Sequence, residues 1–107
     1  MESIINRITR ISNMEEKLDS AVSAIQQLDK AIEDYSAQLG NITELAAYLT
    51  SEDWKEDFAA DEAGKLPKDL KRGVLSEDGI YDMLQDNRQL EVRTAELLAE
   101  IVRRGRI

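Results

Sequence analysis

A chain of 107 residues holds one domain with a modest core, and its formal charge of −8, from 22 acids against 14 bases, disfavours sequence-independent binding to a nucleic-acid backbone. Cysteine and histidine are both absent, which excludes disulfides, the usual zinc and haem ligands, thiol nucleophiles and the usual general base near neutral pH. No apolar run approaches a membrane span and the opening MESIINRITR has no signal-peptide core, so the expectation is a cytoplasmic protein without membrane or nucleic-acid partners.

From Ile4 to Leu39 one position of a seven-residue repeat is always large and aliphatic: Ile4, Ile11, Leu18, Ile25, Ile32 and Leu39. That spacing predicts a long helix. A second seam holds Met14, Ala21, Leu28 and Tyr35, with Arg7 as its exception, and Ile8 and Val22 broaden the stripe beyond a strict coiled-coil seam. Ser12 with Glu15, and Asn13 with Glu16, have capping-box spacing. The repeat keeps its phase across them, so one continuous helix about 55 Å long is expected. Gly40 is placed to end it and Asn41 to cap the next, with Glu44 completing the cap pattern. Ile42, Leu45, Ala46 and Leu49 form the inward face of this second helix. Thr50 and Ser51 bend or break it, Ser51 serving as a fresh N-cap before Glu52 and Asp53, and Trp54 and Phe58 follow one turn apart on the apolar side.

The stretch Asp61 to Asp82 holds the single proline and three of the five glycines, and reads as a compact connector between helices. Gly64 suits the left-handed close of a helix, and Pro67 the start of a short helical turn over Pro67 to Arg72 that Gly73 stops. Ser76 is a natural N-cap for the last helix, with Leu75 and Ile80 as its hydrophobic staple and Glu77 and Asp78 at its positive pole. Gly79 stands where a capping box would have Glu. On this reading Ser76→Ala costs about 1 kcal/mol and Gly73→Val more, because a β-branched residue resists positive φ. The last helix then runs to about Arg104, with Ile80, Met83, Leu84, Leu90, Leu97, Leu98 and Ile101 on its apolar side and Asn87 and Thr94 interrupting that stripe. Arg103, Arg104 and Arg106 suit a helix C-terminus, and Gly105 a stop.

The run GKLPKDLKRGVLSEDGIYD, preceded by the W-x-x-D spacing of Trp54 and Asp57, resembles a small bacterial domain family of unknown function. The likeness is strongest from Trp54 to Leu84 and extends over most of the chain. It implies an all-helical fold and transfers no catalytic residue.

These elements predict a single all-α domain over 1–107: a long N-terminal helix, a bent or broken second helix, a compact Gly/Pro connector and a long C-terminal helix. All five aromatics, Tyr35, Tyr48, Trp54, Phe58 and Tyr81, fall mid-chain, which implies a head carried on an aliphatic stalk. The stripe of Ile4 to Leu18 needs cover, and Leu90 to Ile101 is the unclaimed apolar surface, so an antiparallel hairpin or bundle of first and last helices is expected. An up-down-up bundle competes, and a homodimer through the stalk would bury the same stripe.

In the head, Glu52, Asp53, Glu56, Asp57, Asp61 and Glu62 against Lys55 leave −5, whereas Lys65, Lys68, Lys71 and Arg72 against Asp69 leave +3. The connector therefore either fixes the head through ion pairs or receives a phosphate or a partner's carboxylate, for which Lys65, Lys68, Lys71, Arg72 and Ser76 are the candidate binding residues. Asp53, Asp57 and Asp61 share one helix face, where Lys65 or Lys71 would neutralise them, or else a hard cation such as magnesium. Trp54 and Phe58 are expected in the core rather than in an exposed anchor. No EF-hand loop or phosphate-binding glycine loop is present. The expectation is a non-enzymatic protein-interaction module acting through its helical surfaces or charged head, with a protein partner and no cofactor, metal or catalytic residue. The alternative is a carboxylate-based, metal-dependent enzyme of the all-helical nucleotide pyrophosphohydrolase type, whose E-x-x-E and E-x-x-D pair is missing here.

Overall fold

The computed structural model describes residues 3–105. Among them the chain is all-α: α1 (Ile4–Ser36), α2 (Leu39–Leu49), α3 (Glu52–Glu62), a 3-10 turn (Gly73–Leu75) and α4 (Gly79–Arg104), with no strand. It divides into two compact units, Met1–Leu39 and Gly40–Ile107. Among the described residues no helix is long and apolar enough to cross a membrane.

The first unit is α1. Ser3 caps it, its hydroxyl accepting from the Asn6 amide at 3.1 Å. The helix runs unbroken through Ser12 and Asn13, as the unbroken phase of the repeat requires. It stops earlier than the sequence predicts: the interruption falls at Ala37 and Gln38, and Gly40 and Asn41 lie inside α2. The reason is conformational. Gly40 does not take the positive φ of a helix-ending glycine, and Ala37, in the right-handed region, closes α1 by donating to the Glu33 carbonyl at 3.1 Å.

In the second unit α2 and α3 meet at one serine. The Ser51 hydroxyl donates to the Tyr48 carbonyl at 2.6 Å and accepts from the Trp54 amide at 3.1 Å, so it closes one helix and opens the next. The second helix is therefore broken rather than bent. Its expected inward face, Ile42, Leu45, Ala46 and Leu49, is half-buried. α3 ends in a Schellman motif: Gly64 has φ 69°, its amide donates to Asp61, and the Lys65 amide donates to Ala60, both at 3.0 Å. Trp54 and Phe58 are half-buried and stacked, with centroids 5.1 Å apart, and the Trp54 indole N–H donates to the Val74 carbonyl at 2.9 Å. That bond ties α3 to the 3-10 turn, which packs against both α3 and α4.

Two expectations about the connector need correction. Pro67 to Arg72 is not a turn of helix but a single tight turn in which the Leu70 amide donates to the Pro67 carbonyl at 3.2 Å. The Arg72 side chain takes the Pro67 and Leu70 carbonyls that a continuing helix would need. Gly73 likewise begins the 3-10 turn rather than stopping a helix, its φ is not positive, and a Cβ there would meet nothing.

Gly79 is the glycine under constraint. A Cβ there would lie 2.7 Å from the Ser76 hydroxyl and closer still to the Gly73 carbonyl oxygen. This close approach accounts for the incomplete capping box, because no side chain fits. The Ser76 hydroxyl donates to the Gly73 carbonyl at 2.8 Å and accepts from the Gly79 amide, the first of α4, at 3.0 Å. The helix starts later than expected, so the N-cap position falls on Asp78, which makes no side-chain cap bond, and Ser76 caps from two residues before it. Leu75 and Ile80, the expected staple, are 6% and 3% exposed and are the only buried hydrophobic residues among those described. Further along α4 the apolar stripe is half-buried at Met83 and Leu84 and exposed from Leu90 onward. Thr94 is accommodated in it by donating to the Leu90 carbonyl at 2.8 Å. Gly105, at φ 80°, follows the last turn, while Arg106 lies outside the described residues.

Urea unfolding checks this arrangement. Ser76→Ala is expected to cost about 1 kcal/mol and Gly79→Ala distinctly more, whereas Gly73→Ala should be neutral or stabilise by up to about 1 kcal/mol through the unfolded chain.

Candidate functional site

The five residues singled out in the connector divide by role. Lys65, Lys68 and Lys71 are exposed. Arg72 turns inward, as a planar fork with several donors can: it pairs with the Asp61 carboxylate on α3 and donates to the backbone carbonyls of Pro67 and, at 3.3 Å, Leu70. Three acceptors on one guanidinium fold the connector back onto α3. Ser76 is occupied as the cap of α4. Of the expected ion pairing between connector and α3, the arginine therefore supplies the contact.

The aspartate row of α3 is likewise answered from within the unit. Asp61 has Arg72, and Asp57 accepts from the Tyr48 phenol at 2.7 Å, which braces α2 against α3. Neither Lys65 nor Lys71 supplies these partners. Among the described residues no group of three or more carboxylates gathers in a way that could hold a metal ion. The hydrogen bond to Asp57, then partial burial, then the negative charges of Asp57 and Asp53 push the Tyr48 phenol up from 10.0 to about 12. Sequence reasoning expects ion pairs between connector and α3 but assigns Asp61 to Lys65 or Lys71 rather than Arg72, and it misses the Tyr48 brace. The one arginine in a run of lysines was a usable signal for the first, since only guanidinium clamps several oxygens in a plane; nothing in the spacing of Tyr48 and Asp57 marks the second.

Besides the exposed stripe of α4 from Leu90 onward, two further apolar surfaces are open to water. One is an open groove of about 510 Å³ in the second unit, with Leu45, Val74, Ile80 and Met83 in its walls and Lys71 at its edge. The other is the aliphatic face of α1, where Ile11, Leu18 and Ile25 are 53%, 56% and 68% exposed. α1 has no buried residue along its 33 residues.

Thermal melts should separate the basic residues. Arg72→Met is expected to destabilise by about 1–2 kcal/mol, a charge-assisted clamp discounted for its partial exposure, while Lys68→Met stays within about 0.5 kcal/mol of wild type. The Tyr48 brace has a pH signature. Because the folded-state pKa is raised, its contribution is complete below pH 10.0 and is lost as pH rises through about 12. Ultraviolet titration should show that Tyr48→Phe deletes the phenol ionisation near pH 12, and the variant's stability deficit at neutral pH should shrink across that window.

No curated protein and no solved structure matches the chain. A family model described as a domain of unknown function, DUF4298, matches residues 11–97, from the aliphatic repeat of α1 through the connector to the exposed stripe of α4. With most of its length covered by that model, the chain belongs to the DUF4298 family of domains of unknown function.

Proposed function

We propose that this protein is a non-enzymatic protein-interaction module whose binding surface is the aliphatic face of α1. One observation carries the reading: Ile4, Ile8, Ile11, Met14, Leu18, Val22, Ile25, Leu28 and Ile32 recur along one broad side of a single helix and all are exposed. A helix that stays in water gains nothing from such a repeat, and each isoleucine and valine carries a modest helix-propensity cost. Left roughly half exposed, these side chains present on the order of 700 Å² of apolar surface. That exceeds the few hundred Å² that monomers ordinarily leave contiguous and approaches the ~800 Å² per partner of a standard interface. Covering it is worth on the order of 15 kcal/mol gross, against association costs of about 4–15 kcal/mol. The connector, by contrast, supports the head, since Arg72 and Ser76 are committed to internal bonds.

The test is retention of a bound protein by immobilised chain. Wild type and Lys68→Glu/Lys71→Glu are expected to retain the same partner, and Leu18→Asp/Ile25→Asp, with helicity verified by circular dichroism, to lose it. Equal recovery by wild type and the stripe variant contradicts the reading.

A further inference from the structure

Resting on that reading, we infer that the occupant of the α1 face is α1 of a second copy of this chain, lying antiparallel to the first. The argument starts from the charges, which run against the helix's own dipole. α1 has no acid in its first turn and no base in its last. Its first turn ends on Arg7 and holds no acid, while its last turns carry Asp29, Glu33 and Asp34 against Lys30 alone. Charges of the wrong sign in the first and last turns destabilise a lone helix, and here these are Arg7, Glu33 and Asp34. Lys30 pairs with Asp34 at 3.2 Å at the acidic end, but both side chains are exposed and the pair is of little worth. An antiparallel copy reverses the effect. The partner's acidic end and negative pole then lie beside Arg7 and Arg10, and the same happens at the other end by symmetry.

Register agrees with charge. In an antiparallel pair the two seams alternate, so Ile11 faces the partner's Leu28, Leu18 faces the partner's Ala21, and Arg7 faces the partner's Ile32, one residue from the partner's Glu33. Leu18 against Ala21, occurring twice about the symmetry axis, sets a large side chain against a small one at the centre. The arginine can run its stem over Ile32 and leave its head at the partner's carboxylate. A parallel pair would instead stack Arg7 on Arg7 within the seam and bring like-charged ends together. The partner's α4 is also a poorer occupant. Antiparallel to α1, it would bring to the arginine end Arg103 and Arg104, whose charges Glu100 already answers, and so offers that end no free acid in return.

The chain has no cysteine, so single cysteines report pairing directly. The experiment measures the mass of the intact wild-type chain by light scattering at tens of micromolar, then oxidises Ile11→Cys alone, Leu28→Cys alone and an equimolar mixture. The expected result is a dimeric mass, covalent dimer from neither variant alone, and covalent dimer from about half of the chains once mixed, as random exchange within a two-fold dimer dictates. A monomeric wild-type mass overturns self-pairing, and efficient crosslinking of either variant with itself overturns the antiparallel order. A monomeric chain that still captures a different protein through Leu18 and Ile25 would leave the interaction reading standing without this inference.

Discussion

The second unit depends on the absence of a side chain at Gly79, because a Cβ there would collide with the Gly73 carbonyl oxygen and bar the 3-10 turn's close approach to the start of α4. That approach lets Leu75 and Ile80 leave water, and among the described residues no other hydrophobic side chain is buried to that degree. Two such side chains are worth roughly 1.5–3 kcal/mol each, which is small against the cost of ordering the chain around them. The half-buried layer of Ile42, Leu45, Leu49, Trp54, Phe58, Met83 and Leu84 adds to this. With so little core, directed polar bonds carry an unusual share of the specificity: the indole of Trp54 on Val74, the phenol of Tyr48 on Asp57, the guanidinium of Arg72 on Asp61. Each joins two elements and fixes a register that apolar contact alone would leave loose.

The first unit has the opposite problem. α1 has good local order, with a serine cap and an unbroken helix, and no fully buried residue. Helices depend chiefly on tertiary packing of an apolar face, and one rich in isoleucine depends on it more than an alanine-rich one. Cover for that face would therefore serve the folding of α1, and on the proposed reading it is also what the surface is for. Its charge pattern, adverse to its own dipole, specifies the kind of cover: a helix bearing the complementary gradient.

The sequence was most informative where one residue type has one conformational use. Gly64 could be read as a helix terminator, Ser51 and Ser76 as caps, and the Leu75–Ile80 staple as buried, because each rests on local chemistry that the rest of the fold only has to permit. Gly40 and Gly73 were misread for the converse reason. A glycine is compatible with a left-handed residue but does not demand one, and both sit in segments whose hydrogen bonds are satisfied with φ negative or otherwise not positive. The tight spot at Gly79 was visible only as a missing Glu, since its cause is a backbone oxygen six residues earlier. The Tyr48–Asp57 and Arg72–Asp61 braces span helix boundaries, where no periodicity relates the partners. The all-α fold of a DUF4298 domain was legible; which acids were already answered, and by what, was not.

The central claim is that α1 has no core of its own and is held by association. Amide hydrogen exchange followed along the chain over a dilution series from micromolar to nanomolar tests it most directly. The account predicts that protection along Ile8 to Ile32 falls on dilution while protection of α3 and the first turns of α4 stays constant. Protection in α1 that equals that of α3 and does not change with dilution would contradict it.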